Sequence, residues 1–210
     1  MSKLLYIKAS PRGERSHSIA VADAFIEAYR QENPDDEIMT IDLFKKELPA
    51  FDGARVNAKY AVLHGNEPTP EDKKAWAEVE SIIEEFKGAD KYVFAIPMWN
   101  FGIPYRLKQY IDLIVQPGYT FSFSPEKGYG GLMKGKPALV VYARGGDYAP
   151  GTPAEGMDMQ KSYMDGILGF IGFEDIRSVI VEPMLAGGPD MASERQDLAI
   201  DEAKEMAESF

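Results

Sequence analysis

The segments LLYIKA at 4–9, KYVFAIP at 91–97 and ALVVY at 138–142 are apolar at nearly every position, and helically spaced stretches follow the first two. A strand that alternates apolar and polar residues can leave one face in water, but a strand apolar throughout cannot. Such runs need cover on both faces, which parallel sheets obtain from crossover helices. EIMTIDL at 37–43 and IRSVIV at 176–181 complete a set of five strands that alternate with helices. The chain is therefore expected to be an α/β protein, a doubly wound five-stranded parallel sheet with helices on both faces, with residues 1–210 as one domain. Ligands of such sheets bind outside the carboxyl ends of the strands, near the reversal in strand order.

Helices are expected over about 18–31, from Thr69-Pro70-Glu71-Asp72 to Gly88, over 104–115, 156–170 and 192–209. Thr69 is a capping residue, Pro70 suits a first turn, and Glu71 and Asp72 favour the positive end of the dipole. Two long connections remain. Residues 49–68 read as a polar, mixed stretch. Residues 116–136 place Tyr119, Phe121 and Phe123 alternately, as in a short hairpin edge that caps a site. A surface excursion pinned by core aromatics is the equal alternative.

Composition narrows the chemistry. With no cysteine, the chain has no disulfide, no thiolate nucleophile and no cysteine-held metal, so redox chemistry needs a bound cofactor. His17 and His64 are the two histidines, which leaves no multi-histidine metal site, and none is predicted. A net charge of −11 and a pI near 4.7 oppose docking on nucleic acid or on an anionic membrane. No run approaches the ~18 apolar residues of a membrane span, and the expected location is the cytoplasm.

The loop after the first strand reads SPRGERSHS, residues 10–18. A helix start presents unpaired N–H groups and a positive dipole end to an anion. Neither G-x-G-x-x-G nor G-x-x-x-x-G-K-[ST] is present, which disfavours a dinucleotide or triphosphate site. Hydroxyls at Ser10, Ser16 and Ser18 suit a terminal monophosphate instead, with Gly13 permitting an unusual turn and Arg12 and Arg15 adding charge. The plainer alternative is that Ser18 only caps the helix. At the same edge of the sheet follow PMWNFGIP, 97–104, and ARGGDY, 143–148. Trp99 or Phe101 can lie along a flat ring, and Gly145 and Gly146 let backbone approach closely. A phosphate cradle, an aromatic segment and a Gly-Gly turn together describe a site for flavin mononucleotide, FMN.

At these residues the sequence resembles the FMN-dependent NADH-azoreductases, which are also NAD(P)H:quinone oxidoreductases of flavodoxin-like fold. The resemblance runs through SPRGERSHS, PMWNFGIPYRLKQYIDLIVQPGYTFSF, YARGGDY, GFIGFEDI and VEPMLAGGPD. It implies strand order 2-1-3-4-5 and NADH or NADPH as electron donor to quinone or azo acceptors. By position, Ser10, Ser16, His17 and Ser18 would bind the FMN phosphate. Met98, Trp99, Asn100 and Phe101 would line the isoalloxazine, and Ala143, Arg144, Gly145 and Gly146 its pyrimidine side. Trp99 stands where the family often has Tyr, and Ala143 where Ser is common. No side-chain catalyst is expected, since the flavin N5 carries the chemistry. The N–H groups around Gly145 and Gly146 are the candidates for offsetting charge on the reduced ring, with Arg144 either assisting or serving as an ion-pair partner.

Donor and acceptor are expected to use one pocket in turn, by two-electron hydride transfer. The alternative function is a flavodoxin-type electron carrier acting with a protein partner. A homodimer is also expected, with the apolar face around Tyr110, Leu113 and Ile114 and the aromatic loop after it at the interface. Replacing Ser16 and Ser18 together by Ala should weaken FMN binding by more than about tenfold, at roughly 1 kcal/mol per hydrogen bond. Unchanged affinity in a titration would reject the phosphate assignment.

Overall fold

A computed structural model describes residues 1–63 and 69–210. In chain order the strands are β1 (Lys3–Lys8), β2 (Glu37–Asp42), β3 (Lys91–Pro97), β4 (Phe121–Ser124), β5 (Gly128–Gly131), β6 (Ala138–Ala143) and β7 (Ile176–Val181). The helices are α1 (His17–Glu32), α2 (Gly53–Leu63), α3 (Pro70–Lys87), α4 (Tyr105–Ile114), α5 (Met159–Ile171) and α6 (Gly188–Ala207). Five strands form one parallel sheet in the order β2-β1-β3-β6-β7, which is 2-1-3-4-5 when these strands alone are numbered. One register row runs through Ile41, Ile7, Phe94, Val140 and Ser178.

Period-two alternation divides the central strands between two cores. Leu5, Ile7, Tyr92, Phe94, Ile96, Val140 and Tyr142 pack with side chains of α3, α4 and α5. Leu4, Tyr6, Val93, Ala95, Leu139 and Val141 pack with α1 and α6. Burying a large apolar side chain is worth about 1.5–3 kcal/mol, so neither face of these strands can be left bare. The helix ends follow local rules. Thr69 and Asp72 form a reciprocal capping box at the start of α3. Asp158 caps α5 by accepting from the N–H groups of Gln160 and Lys161 at 3.1 and 3.0 Å.

Three expectations change. The stretch 49–68 holds α2 rather than a loop, although residues 64–68, His64 among them, lie outside the described residues. Asp52 starts α2, its Oδ1 accepting from the Arg55 N–H at 3.2 Å. Ala58 is the helix's one buried side chain among the described residues, so no apolar stripe announces it.

The hairpin β4–β5 forms, but it does not cap the site of its own chain. Phe121 and Tyr129 pack on Phe170 near the C-terminus of α5, with ring centroids 4.8 and 5.6 Å away, and a Cβ on Gly131 would collide with the backbone of Gly172. The 13-residue α5 spans about 20 Å, so the hairpin lies at the edge of the sheet opposite Asp158.

Tyr110, Leu113 and Ile114 are buried inside the chain, packed in the core with Phe86 and Met133, and offer no face to a partner. A helix stripe is apolar because something covers it, and here its own sheet does so. Leu113→Ala should therefore cost about 2–5 kcal/mol of unfolding free energy, read as a lower urea midpoint at unchanged slope.

Candidate functional site

The loop after β1 is pinned where the strand ends, with the Ala9 N–H donating to Ala95 O at 3.0 Å. Arg12 N–H reaches back to Ser10 Oγ at 3.4 Å, and Gly13 turns the chain at φ +55°. That positive φ makes glycine the natural choice there. Ser16 stands at the N-cap of α1, yet its hydroxyl makes no capping bond and lies 3.2 Å from Ser18 Oγ. The first bond within the helix is Ala20 N–H to Ser16 O. The N–H groups of the first turn of α1 consequently point out of the helix without a side-chain cap, an arrangement that binds anions. Ser16, His17 and Arg12 line the cleft in front of this turn, while Ser10 and Ser18 are buried behind it. His17 Nδ1 is held 2.5 Å from Gln196 Oε1, which ties α6 to the cradle.

After β3, Met98 N–H donates to Ala143 O at 2.8 Å. Trp99 and Gly102 then exchange backbone hydrogen bonds of 2.9 and 3.0 Å around a two-residue turn. Asn100 and Phe101 occupy it at φ 48° and 68°. Asn tolerates the left-handed region, whereas for a side chain such as Phe it costs about 1–2 kcal/mol. The turn is held from outside, since Phe101 O accepts from Met159 N–H at 3.1 Å and the Phe101 ring meets Tyr148 edge-on at 6.3 Å. Trp99 turns the other way, against Phe44 and Tyr105 at 5.8 and 6.1 Å. Phe101 thus shares a hollow with both Gly145 and Gly146, and Trp99 one with Gly145.

The Gly-Gly turn follows β6. Arg144 O accepts from Met184 N–H at 2.9 Å, and Gly145 O accepts from the N–H groups of Leu185 and Ala186 at 2.9 and 3.2 Å. In a trans peptide the N–H points opposite the carbonyl, so the N–H groups of Gly145 and Gly146 are directed away from the 184–186 segment. Among the described residues neither meets an acceptor. The space beside the glycines is used otherwise than their close-approach role implies. A Cβ on Gly145 would stand 2.8 Å from Leu185 Cδ1, and one on Gly146 would stand 3.3 Å from the Tyr148 ring. The glycines here admit protein side chains.

Arg144 is 2% exposed, and each of its guanidinium nitrogens has an acceptor, Asp158 at 2.7 Å, Glu182 at 3.3 Å and Gln160 at 3.2 Å. Of the two roles open to it, the geometry carries the ion pair. Burial pushes the Tyr142 phenol well up, so the ring stays neutral beneath that guanidinium.

Two adjoining hollows meet at Met98, Gly145 and Leu185. Ser16, His17, Trp99, Ala143 and Arg144 line the first, and Asn100, Phe101, Gly146 and Tyr148 the second. Met184, Leu185, Tyr148, Gln196, Asp158 and Glu182 were not singled out by sequence reasoning. The sequence cues were the position of VEPMLAGGPD at the end of a strand and, for Tyr148, its place in ARGGDY. Among the described residues, no group of His, Asp and Glu is placed to hold a metal ion, and no helix is long and apolar enough to cross a membrane.

A parallel sheet of this order, with its loops converging on one carboxyl edge, defines a flavodoxin-like protein. A family model of the flavodoxin-like fold matches residues 2–207, and the chain belongs to that family. An FMN-dependent NADH:quinone oxidoreductase of Nitratidesulfovibrio vulgaris (strain DP4) is 57% identical over 210 residues, covering 100% of both chains. One of the same name from Desulfotalea psychrophila is 51% identical over 95% of this chain and 92% of its own. The crystal structure of an azoreductase from Bacillus anthracis str. Sterne superposes with a TM-score of 0.92 at 34% identity, covering 100% of both chains. An FMN-dependent NADH-azoreductase from Bacillus anthracis str. Ames Ancestor, solved in complex with FMN, gives 0.88 at 31% identity over 99% of this chain and 98% of that one.

Proposed function

We propose that this chain is an FMN-dependent NADH:quinone oxidoreductase that also reduces azo compounds, with donor and acceptor using one site alternately. The observation that carries the reading is the set of unpaired N–H groups at one sheet edge. The uncapped first turn of α1 stands at one end of the cleft, and the Gly145 and Gly146 amides stand at the other. Backbone N–H groups without protein partners, gathered along one partly buried cleft, are placed to receive acceptor atoms. A monophosphate fits the first group, and the polar edge of a flat ring fits the second.

When bound, FMN supplies acceptance of a hydride from the nicotinamide and delivery of two electrons to the acceptor. The chain's own residues bind and orient. Ser16 and the amides around His17 and Ser18 hold the phosphate, with Ser10 fixing the loop behind them and Arg12 adding charge. Met98, Asn100 and Phe101 border the ring, Trp99 closes the cleft on the β2 side, and Ala143 supplies its floor. The Gly145 and Gly146 amides offset negative charge at the pyrimidine edge without having to reorganise.

The electron-carrier alternative is not favoured, because relatives that match 95% or more of the chain are oxidoreductases by name. We place the enzyme in the cytoplasm. The partner we propose is a second copy of the chain. Phe101 and Tyr105 are 43% and 64% exposed at the rim of the cleft, and a second subunit would cover them and keep water from the site.

Steady-state rates with NADH and a quinone should give parallel double-reciprocal lines at several fixed quinone concentrations. Intersecting lines would point to separate donor and acceptor sites. Light scattering at micromolar concentration should give about twice the 23.4 kDa chain mass, and a fully active monomer would refute the dimer.

A further inference from the structure

A guanidinium taken out of water loses several kcal/mol of hydration unless it is paired and its donors are met. Arg144 meets that requirement with two partners from the start of α5 and one from the segment after β7. Nη2 donates to Asp158, the capping residue of α5, and Met159 beside it donates its N–H to the strained Phe101. Nε donates to Gln160 Oε1, whose own Nε2 donates to Ile96 O at 3.1 Å near the end of β3. Nη1 donates to Glu182 Oε2 just after β7, and that same oxygen accepts from the Tyr148 N–H at 3.1 Å. The β3 turn, the Gly-Gly turn and the segment after β7 are therefore indexed to one cation.

The charges do not balance. One guanidinium stands against two carboxylates, whose side chains are 15% and 10% exposed, leaving a formal −1 behind the turn. Gly145 and Gly146 sit between Arg144 and Tyr148, and both of those residues are bonded to Glu182. Within a protein a unit charge a few residues away is weakly screened.

We propose that Arg144 is the positioning residue that sets the Gly145 and Gly146 amides, and that the excess carboxylate of Glu182 lowers the affinity of the site for reduced relative to oxidised FMN. The inference rests on the FMN reading above. It separates two roles within one network. Geometry comes from the fork of Arg144, which serves three acceptors at fixed angles, and lysine cannot reproduce that fork with the same charge. The electrostatic bias comes from Glu182, which glutamine can replace in shape and in accepting the Tyr148 N–H while removing the charge.

The test uses FMN titrations of the apo-protein, circular dichroism and the midpoint potential of bound flavin, for the parent chain, Arg144→Lys and Glu182→Gln. Arg144→Lys is expected to keep a native spectrum and to bind FMN at least about tenfold more weakly, because charge without the fork does not hold the turn. Glu182→Gln is expected to bind oxidised FMN about as the parent does. It should favour the reduced form by about tenfold, a rise of about 30 mV for a two-electron couple. Parent affinity in Arg144→Lys, or an unchanged or lower potential in Glu182→Gln, would overturn the proposal. Should Arg144→Lys fail to fold, the Glu182→Gln potential decides alone. A parent chain that binds no FMN would instead remove the functional reading on which the proposal rests.

Discussion

The side chains of β1, β3 and β6 are buried on both faces of the sheet, so neighbouring parallel strands must be joined by crossovers that lay helices on each side. The handedness of such crossovers fixes which face each helix takes. The chain leaves β1 toward β2 on one side, then returns past β1 to β3 on the other. The loops after β1 and β3 diverge at that reversal and open a crevice between them, with the β6 loop alongside. Packing of the apolar strands thus decides where polar chemistry can occur. In the central strands β1, β3 and β6 the backbone groups are taken up by ladders on both sides, whereas the loops at the carboxyl edge present N–H groups without partners among the described residues.

Keeping such an edge in shape is costly. The Asn100–Phe101 turn sits in the left-handed region, the helix α1 starts without a cap, and two adjacent glycine amides lack acceptors. None of these features is stable on local grounds. Neighbouring elements hold them: Met159 at the start of α5 bonds the Asn100–Phe101 turn, Gln196 on α6 bonds His17 at the start of α1, and the 184–186 segment bonds the Gly145 carbonyl. The buried Arg144 network therefore lies directly behind backbone that lacks protein partners among the described residues. That arrangement suits a site whose work is orientation and electrostatics and whose reactive atoms belong to a cofactor.

Much of this was legible in the residues. The five strands, the helices α1, α3 and α4, and the three site loops follow from hydrophobic periodicity and from turn and capping residues, which act within a few positions of one another. Helix α2 escaped because Ala58 is its one buried side chain among the described residues, and a helix without an apolar stripe looks like a polar loop. The hairpin was recognisable from its alternating aromatics, but its position was not. Alternation says which side chains share a face and leaves open what that face meets. Leu113 shows the same gap, since an apolar stripe on α4 is equally consistent with a partner and with the chain's own core.

The amino-acid sequence alone determined the α/β class and the loops that gather at the carboxyl edge, because these depend on local pattern, and its resemblance to known sequences pointed to the flavodoxin-like family. Tertiary structure alone decided the orientations within the site. It turned Trp99 toward Phe44 and Phe101 toward Tyr148, set Leu185 over Gly145, and brought Asp158 and Glu182 to Arg144 across 14 and 38 residues of chain. Contacts of that kind form because a buried cation must find carboxylates wherever the folded chain delivers them. No periodicity records that requirement, and only packing satisfies it.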